Sequence, residues 1–259
     1  MSEETNTLID PVTDPKFALF SDDDRQFLAS MFVRYPNIGE NFVTYLSYPS
    51  LLRPKFAAVS LWDVKRAGWV RRGIENCESV RDHMGNLALL VDGYMQNVLR
   101  HITDEEERGI ASQLRERLRH MAKVHDLPEA IATDFTPHDP ISTEDKHRLE
   151  LLAAKVIFEH PNFAYGLANV TEYAEQQTFA SHLLHDFDKI HAVRGALYYE
   201  TRDPEQKGVF QQFFDYAISR MKTDNGKAYM EDLLRHKDVV QEEIRRVIAE
   251  NRSVSEPAR

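Results

Sequence analysis

Cysteine occurs once in this sequence, at Cys77, which excludes an internal disulfide and any zinc site built on several thiolates and fits a reducing compartment. Glycine is scarce, at 10 of 259 residues. Two-residue alternation of apolar and polar side chains is nearly missing too, so strands have little to build on. No stretch approaches the roughly 20 consecutive apolar residues that a membrane span needs. The first thirty residues mix Glu, Asp and Pro with short apolar pieces, without the charged start and apolar run of a signal peptide. A soluble, cytoplasmic protein is expected, with no membrane partner. Basic residues are outnumbered, 32 against 42 acidic ones, for a net charge of -10. That is the wrong sign for gripping a nucleic-acid polymer through its phosphates. A small phosphorylated partner stays open, because a bound cation can reverse the field locally.

What is present is helical periodicity, and the expected fold class is all-α. Residues 1–55 read as an N-terminal extension: a flexible acidic tail to about residue 15, a helix capped by Ser21 and running to about Tyr35, and a short helix over 38–48. The main domain is expected over 56–250, opening with an amphipathic piece at 55–66, and 251–259 reads as a flexible tail. Ser79 to Asp82 outlines a capping box that opens a long helix to about Ile102, with the stripe Val80, Met84, Leu87, Val91, Met95, Val98 and Ile102. The next helix, 104–125, carries Ile110, Leu114, Leu118 and Met121 on one face. Asp126 and Pro128 suit the start of a short helix that ends before a loop at 134–143. Further helices are expected at 144–159, 163–177, 178–200, 204–222 and 226–250.

His83 lies one turn from both Val80 and Leu87, so its ring faces the buried side of its helix. His125 continues the apolar stripe of the next helix, with Asp126 beside it. A single buried histidine is most simply one bonded to a carbonyl, but two buried imidazoles and a carboxylate are costly unless something pairs them, and a divalent cation does so. The His-Asp dipeptide alone decides nothing, since it also occurs at His138-Asp139, in a Pro-rich loop, and at His185-Asp186, inside a helix.

Three strings carry a resemblance: RAGWVRRGIENCESVRDHMGNLALL at 66–90, HDLPEAIATDFTP at 125–137 and EYAEQQTFASHLLHDFDKIHAV at 172–193. Together they resemble HD-domain metal-dependent phosphohydrolases, on the 5′-deoxynucleotidase-type branch, over about residues 60–245. The resemblance implies an HD-domain helical bundle that releases phosphate from a nucleoside or deoxynucleoside 5′-monophosphate, and a homodimer. It places the ligands of one divalent cation (Co, Mn, Mg, Fe or Zn) on His83, His125, Asp126 and Asp188. Helical periodicity instead puts Asp186 nearer the stripe of Phe179, Leu183, Ile190 and Val193, which leaves Asp186 as the alternative ligand. Two imidazoles and two carboxylates leave open positions on an octahedral ion for water and a phosphate oxygen. By resemblance, Glu129 orients water or moves a proton, Asp134 positions the nucleotide and assists proton transfer, and Trp69, fourteen residues before His83, packs on the nucleoside. Bacterial members carry a phosphate-binding Arg just before that Trp. Here the position is Gly68, so Arg66 or Arg72 must substitute.

Other readings keep the chemistry and change the substrate to an alarmone, a nucleoside triphosphate or a non-nucleotide phosphoester, or make the chain a non-catalytic nucleotide-binding helical protein. An oxygenase of the same fold would need a second metal and further histidines; His147, His160, His182 and His191 exist, but none stands in a context that supports it.

Overall fold

The computed structural model describes residues 9–203, 205, 208 and 210–255. Among them the fold is all-α, with one isolated antiparallel bridge between Lys65 and Ser79. No helix among these residues is long and apolar enough to cross a membrane. The chain divides into two compact units, residues 1–84 with 123–174 and residues 85–122 with 175–259.

In the first unit Ser21 caps α1 (Asp22–Arg34), its Oγ accepting the Asp24 N–H at 3.1 Å, and three aspartates fill the first turn where the helix dipole favours them. Helix α2 (Pro36–Ser47) begins two residues before the expected 38, because Pro36 sits in the first turn, where the N–H it lacks would have no intrahelical partner. Gly39 lets α1 and α2 approach: a Cβ there would meet the Phe32 ring at 2.9 Å. Helix α3 (Arg53–Ser60) is shorter than the piece expected at 55–66. Buried Arg53 pins it, donating to the carbonyls of Leu46, Tyr48 and Val156 and pairing with Glu159.

The remaining pieces of this unit are α4 (Ala67–Val70), the first turn of α5 (Val80–His101), the end of α6 (Glu105–Val124), α7 (Glu129–Ala132), α8 (Thr143–Ile157) and α9 (Ala164–Glu175). Phe17, Leu28, Phe32, Ile38 and Phe42 share one apolar cluster with Val80, Met84, Ile131, Leu149 and Ile157. The N-terminal helices are therefore built into the core of this unit. Residues 9–15, expected to be flexible, are ordered onto it: Pro11 is buried and Asp14 caps a 3-10 turn at Pro15–Phe17. The part of that tail at 1–8 lies outside the described residues.

The second unit contains the rest of α5 and α6 with α10 (Phe179–Arg202), α11 (Gln211–Ser219), α12 (Asp224–Arg235) and α13 (Lys237–Ser255). The expected stripe of α5 is buried at Leu87, Val91 and Met95, whereas Ile110 of α6 is 62% exposed and that helix turns inward only from Ala111. The helix expected at 204–222 is observed over 211–219. The one expected at 226–250 is two helices that meet at His236, with no Gly or Pro to announce the break. Helix α13 continues to Ser255, into the segment expected to be a tail, and 256–259 lie outside the described residues.

Asp186 of α10 is the pin of this unit. Its Oδ1 accepts the Lys222 N–H at 2.7 Å, and its Oδ2 accepts the Thr223 N–H at 2.8 Å and the Thr223 hydroxyl at 2.7 Å. Thr223 in turn caps α12 by accepting the Gly226 N–H at 2.9 Å. Gly226 is required by this contact, since a Cβ there would lie 2.4 Å from Asp186 Oδ2. Gly226→Ala is expected to destabilise the protein by about 1–3 kcal/mol through overpacking, read as a lower denaturation midpoint in urea.

Candidate metal centre

Three segments of the first unit converge on one carboxylate oxygen. His83 stands in the first turn of α5, which a reciprocal capping box fixes: Ser79 Oγ accepts the Asp82 N–H and Asp82 Oδ2 accepts the Ser79 N–H, both at 3.0 Å. His125 and Asp126 leave the end of α6 in a turn closed by Leu127 N–H on the Val124 carbonyl and Glu129 N–H on the Asp126 carbonyl. Arg66 is brought alongside by a short backbone ladder, in which its N–H donates to the Glu78 carbonyl and the Val80 N–H to the Val64 carbonyl.

His83 and His125 are buried, at 0% and 5% exposure, on the face that periodicity predicted. Their Nε2 atoms lie 3.5 and 3.2 Å from Asp126 Oδ2, and a ring nitrogen of each lies within 4.8 Å of one on the other. Two donors about 2.1 Å from one ion stand roughly 3.0 Å apart at a right angle and 3.4 Å at the tetrahedral angle. The observed separations are those of neighbouring ligands. Two imidazole nitrogens and a carboxylate therefore fit a divalent cation, and the mixed set is compatible with Co, Mn, Mg, Fe or Zn.

Electrostatics point the same way. Burial pushes the Asp126 carboxyl up, but the His125 ring, the Arg66 guanidinium, 3.2 Å from Oδ2, and His83 outweigh it and hold the group well below the ordinary carboxylate range. Asp126 is thus an anion at neutral pH, as a ligand must be. Glu129, one turn on, behaves oppositely: burial, reinforced by the charges of Asp126 and Asp134, pushes its carboxyl well above the usual range. Its buried Oε2 has no hydrogen-bond partner among the described residues. A cation at Asp126 works against that shift.

Asp134 follows a strained turn. Thr133 has φ of 67°, a conformation that a β-branched residue rarely adopts and that costs about 1–3 kcal/mol. The Asp134 carboxylate accepts the Ala67 N–H at 2.8 Å, which ties it to α4 beside Gly68 and Trp69. Trp69 is buried, with its indole N–H on Glu78 Oε1 at 3.2 Å. The two candidate arginines separate. Arg66 reaches Asp126, whereas Arg72 closes back on the Gly68 carbonyl at 2.9 Å. A Cβ at Gly68 would meet nothing within 4 Å, so close packing does not require glycine there.

Other site neighbours escaped the sequence reading. Lys146 of α8 donates to the Phe135 carbonyl at 2.8 Å and lies 3.5 Å from Glu150. Although burial opposes its charge, Glu150, Glu129, Asp134 and Asp126 raise its affinity for a proton. Tyr173 stacks edgewise on His125 with 4.7 Å between centroids. Burial raises the Glu78 carboxyl against the pull of His83 and Arg66. Only the pairing of Lys146 with Glu150, four apart on one helix, left any trace in the sequence.

Asp188 is half-buried on α10, in the second unit, between buried Phe187 and half-buried Lys189. Asp186, the alternative ligand, is buried where periodicity put it, but its oxygens serve Lys222 and Thr223. Of the other histidines, His160 caps the turn at Asn162 and His182 bonds the Gln176 carbonyl. His138-Asp139 is a loop feature, its carboxylate accepting from Thr136 and pairing with Arg71.

The sequence model of the HD domain matches residues 58–229. This chain belongs to the HD-domain family. Among its HD-domain relatives, the 5′-deoxynucleotidase HDDC2 of Dictyostelium discoideum is 36% identical over 160 residues, covering 59% of this chain and 80% of that one. The 5′-deoxynucleotidase YGK1 of Saccharomyces cerevisiae is 28% identical over 217 residues, covering 81% and 88%. A solved structure of a conserved hypothetical protein from Pyrococcus furiosus shares the fold, with a TM-score of 0.50 at 22% identity over 74% of this chain and 98% of that one.

Two outcomes test these assignments. Asp186→Asn is expected to cost about 3 kcal/mol of stability, because an amide N–H would face N–H donors in a buried site, while elemental analysis of the folded fraction shows unchanged metal content. In metal-free protein, the raised Glu129 carboxyl means that the native state holds a proton the unfolded chain releases. Stability then falls as pH rises from the ordinary glutamate value toward the raised one. Thermal unfolding in chelator should show that fall in the native protein and a smaller one in Glu129→Gln.

Proposed function

We propose that this HD-domain protein is a divalent-metal-dependent phosphohydrolase that releases phosphate from a deoxynucleoside 5′-monophosphate, a small cytoplasmic substrate and not a nucleic-acid polymer. The reading is carried by one observation: both buried imidazoles meet the same oxygen of an ionised Asp126 at ligand-to-ligand distance. The relatives' activity supports the substrate class. Asp188 is proposed as the fourth ligand on its match to the family motif, and the binding of Asp186 to Lys222 and Thr223 favours it over that neighbour.

The cation, when bound, supplies Lewis acidity toward water and phosphate oxygens. His83 and His125 would hold it through their Nε2 atoms, and Asp126 would supply the ionised oxygen. Arg66 stands beside that oxygen with a guanidinium whose fork suits phosphate, and so takes the part left open by Gly68. Trp69, tethered through Glu78, forms the wall on which the nucleoside packs. Glu129, buried and without metal pushed toward its protonated form, places a carboxyl that can exchange a proton one turn from Asp126. The sugar alkoxide is a poor leaving group, so a proton must reach it, and Asp134 stands in the segment that lies against Trp69's helix through the Ala67 N–H.

Protein stripped by chelator should release no phosphate from 2′-deoxyadenosine 5′-monophosphate and should regain activity with cobalt, manganese or magnesium. His125→Ala and Asp188→Asn should each lose at least about 100-fold, the scale on which ligand environments act. Release only from triphosphates or alarmones in a phosphoester panel would replace the substrate class, and no release with any metal would remove the hydrolase reading.

A further inference from the structure

Residues 1–57 lie outside the stretch that the HD-domain model matches, yet α2 and the turn before it touch the segment that carries Asp134. We propose that Tyr35 and Asn41 are positioning residues that brace the bend at Thr133 and so aim Asp134 at the nucleoside side of the substrate. The proposal rests on the phosphohydrolase reading above.

The bend is a positive-φ turn at a threonine, and such a conformation persists only where its surroundings over-determine it. Both flanks are held. Before it, the Ile131 carbonyl at the end of α7 accepts the Asn41 side-chain N–H at 3.1 Å, supplying a partner that the helix end lacks. After it, the Phe135 ring stands edge-on to Tyr35 with 5.2 Å between centroids. Farther along, the Tyr35 hydroxyl donates to the Pro140 carbonyl at 2.9 Å. The acceptors are backbone oxygens at 131 and 140, so the clamp fixes where the chain between them runs whatever side chains it carries. Asp134 and its bond to the Ala67 N–H at 2.8 Å lie within that span.

A group that acts on the nucleoside or its leaving oxygen matters for a deoxynucleotide. It matters far less for p-nitrophenyl phosphate, whose phenolate leaves without help from a proton. A small misplacement of such a group costs rate without breaking the fold. The test uses the full chain with metal, comparing Asn41→Leu and Tyr35→Phe with the native protein on 2′-deoxyadenosine 5′-monophosphate and on p-nitrophenyl phosphate. Asn41→Leu should lower kcat on the deoxynucleotide about tenfold, at least about fivefold more than on p-nitrophenyl phosphate, with metal content unchanged. Tyr35→Phe, which keeps the ring and removes one hydroxyl, should shift the same ratio in the same direction and carries the test if Asn41→Leu does not fold. Equal losses on both substrates, or deoxynucleotide rates within about twofold of native in both variants, overturn the brace. A native protein inactive on both substrates overturns the hydrolase reading, and the brace with it.

Discussion

The first unit is organised around a single oxygen, Asp126 Oδ2, which faces His83 Nε2, His125 Nε2 and the Arg66 guanidinium within 3.5 Å. Each of these groups comes from a different local device: a capping box at the start of α5, a turn at the end of α6, and a backbone ladder between 64–66 and 78–80. None of the three is a site by itself. Arg66 balances the charge of Asp126, but two buried imidazoles brought to one ionised oxygen at ligand-to-ligand distance are the physical reason to read the cluster as a candidate cation site.

The same crowding sorts the surrounding carboxylates into roles. Asp126 touches the positive groups and is held ionised, whereas Glu129, buried against Asp126 and Asp134, is pushed toward its acid form. The same carboxylates act on Lys146, whose ammonium is favoured by Glu150 and by Glu129. A carboxylate held ionised and a carboxyl pushed toward its acid form thus arise one helical turn apart from neighbours alone, in a chain whose overall charge of -10 says nothing about it. A divalent cation bound at Asp126 would relax the repulsion on Glu129, so its uptake would be linked to proton release.

How much of this could be read in the sequence depends on the range of each interaction. His83 and His125 were legible because helical period alone fixes the face of a side chain. The capping box at Ser79–Asp82 and the start of α1 were legible because their partners lie three residues apart. Asp186 shows where period stops short: it predicted burial correctly, but burial was for the Thr223 cap, a bond across 37 positions. Glu78, Lys146 and Tyr173 left little or no trace, since what they touch is set by tertiary packing. The core role of residues 9–47 was hidden likewise, because aromatic residues in short amphipathic helices look alike whether they cover a domain or stand apart from it.

The contacts made by α2 explain why a motif-based view ends too early along this chain. Asn41 and Tyr35 bind carbonyl oxygens at 131 and 140, and every residue presents a carbonyl, so no side-chain pattern in 129–140 records that these oxygens are held. The recognisable residues of the candidate site are side chains. Where those residues point is decided partly by backbone geometry such as the Thr133 turn, and strain of that kind must be balanced by packing from outside the turn. A segment outside the stretch that the family model matches thus fixes the path of the backbone on which Asp134 stands.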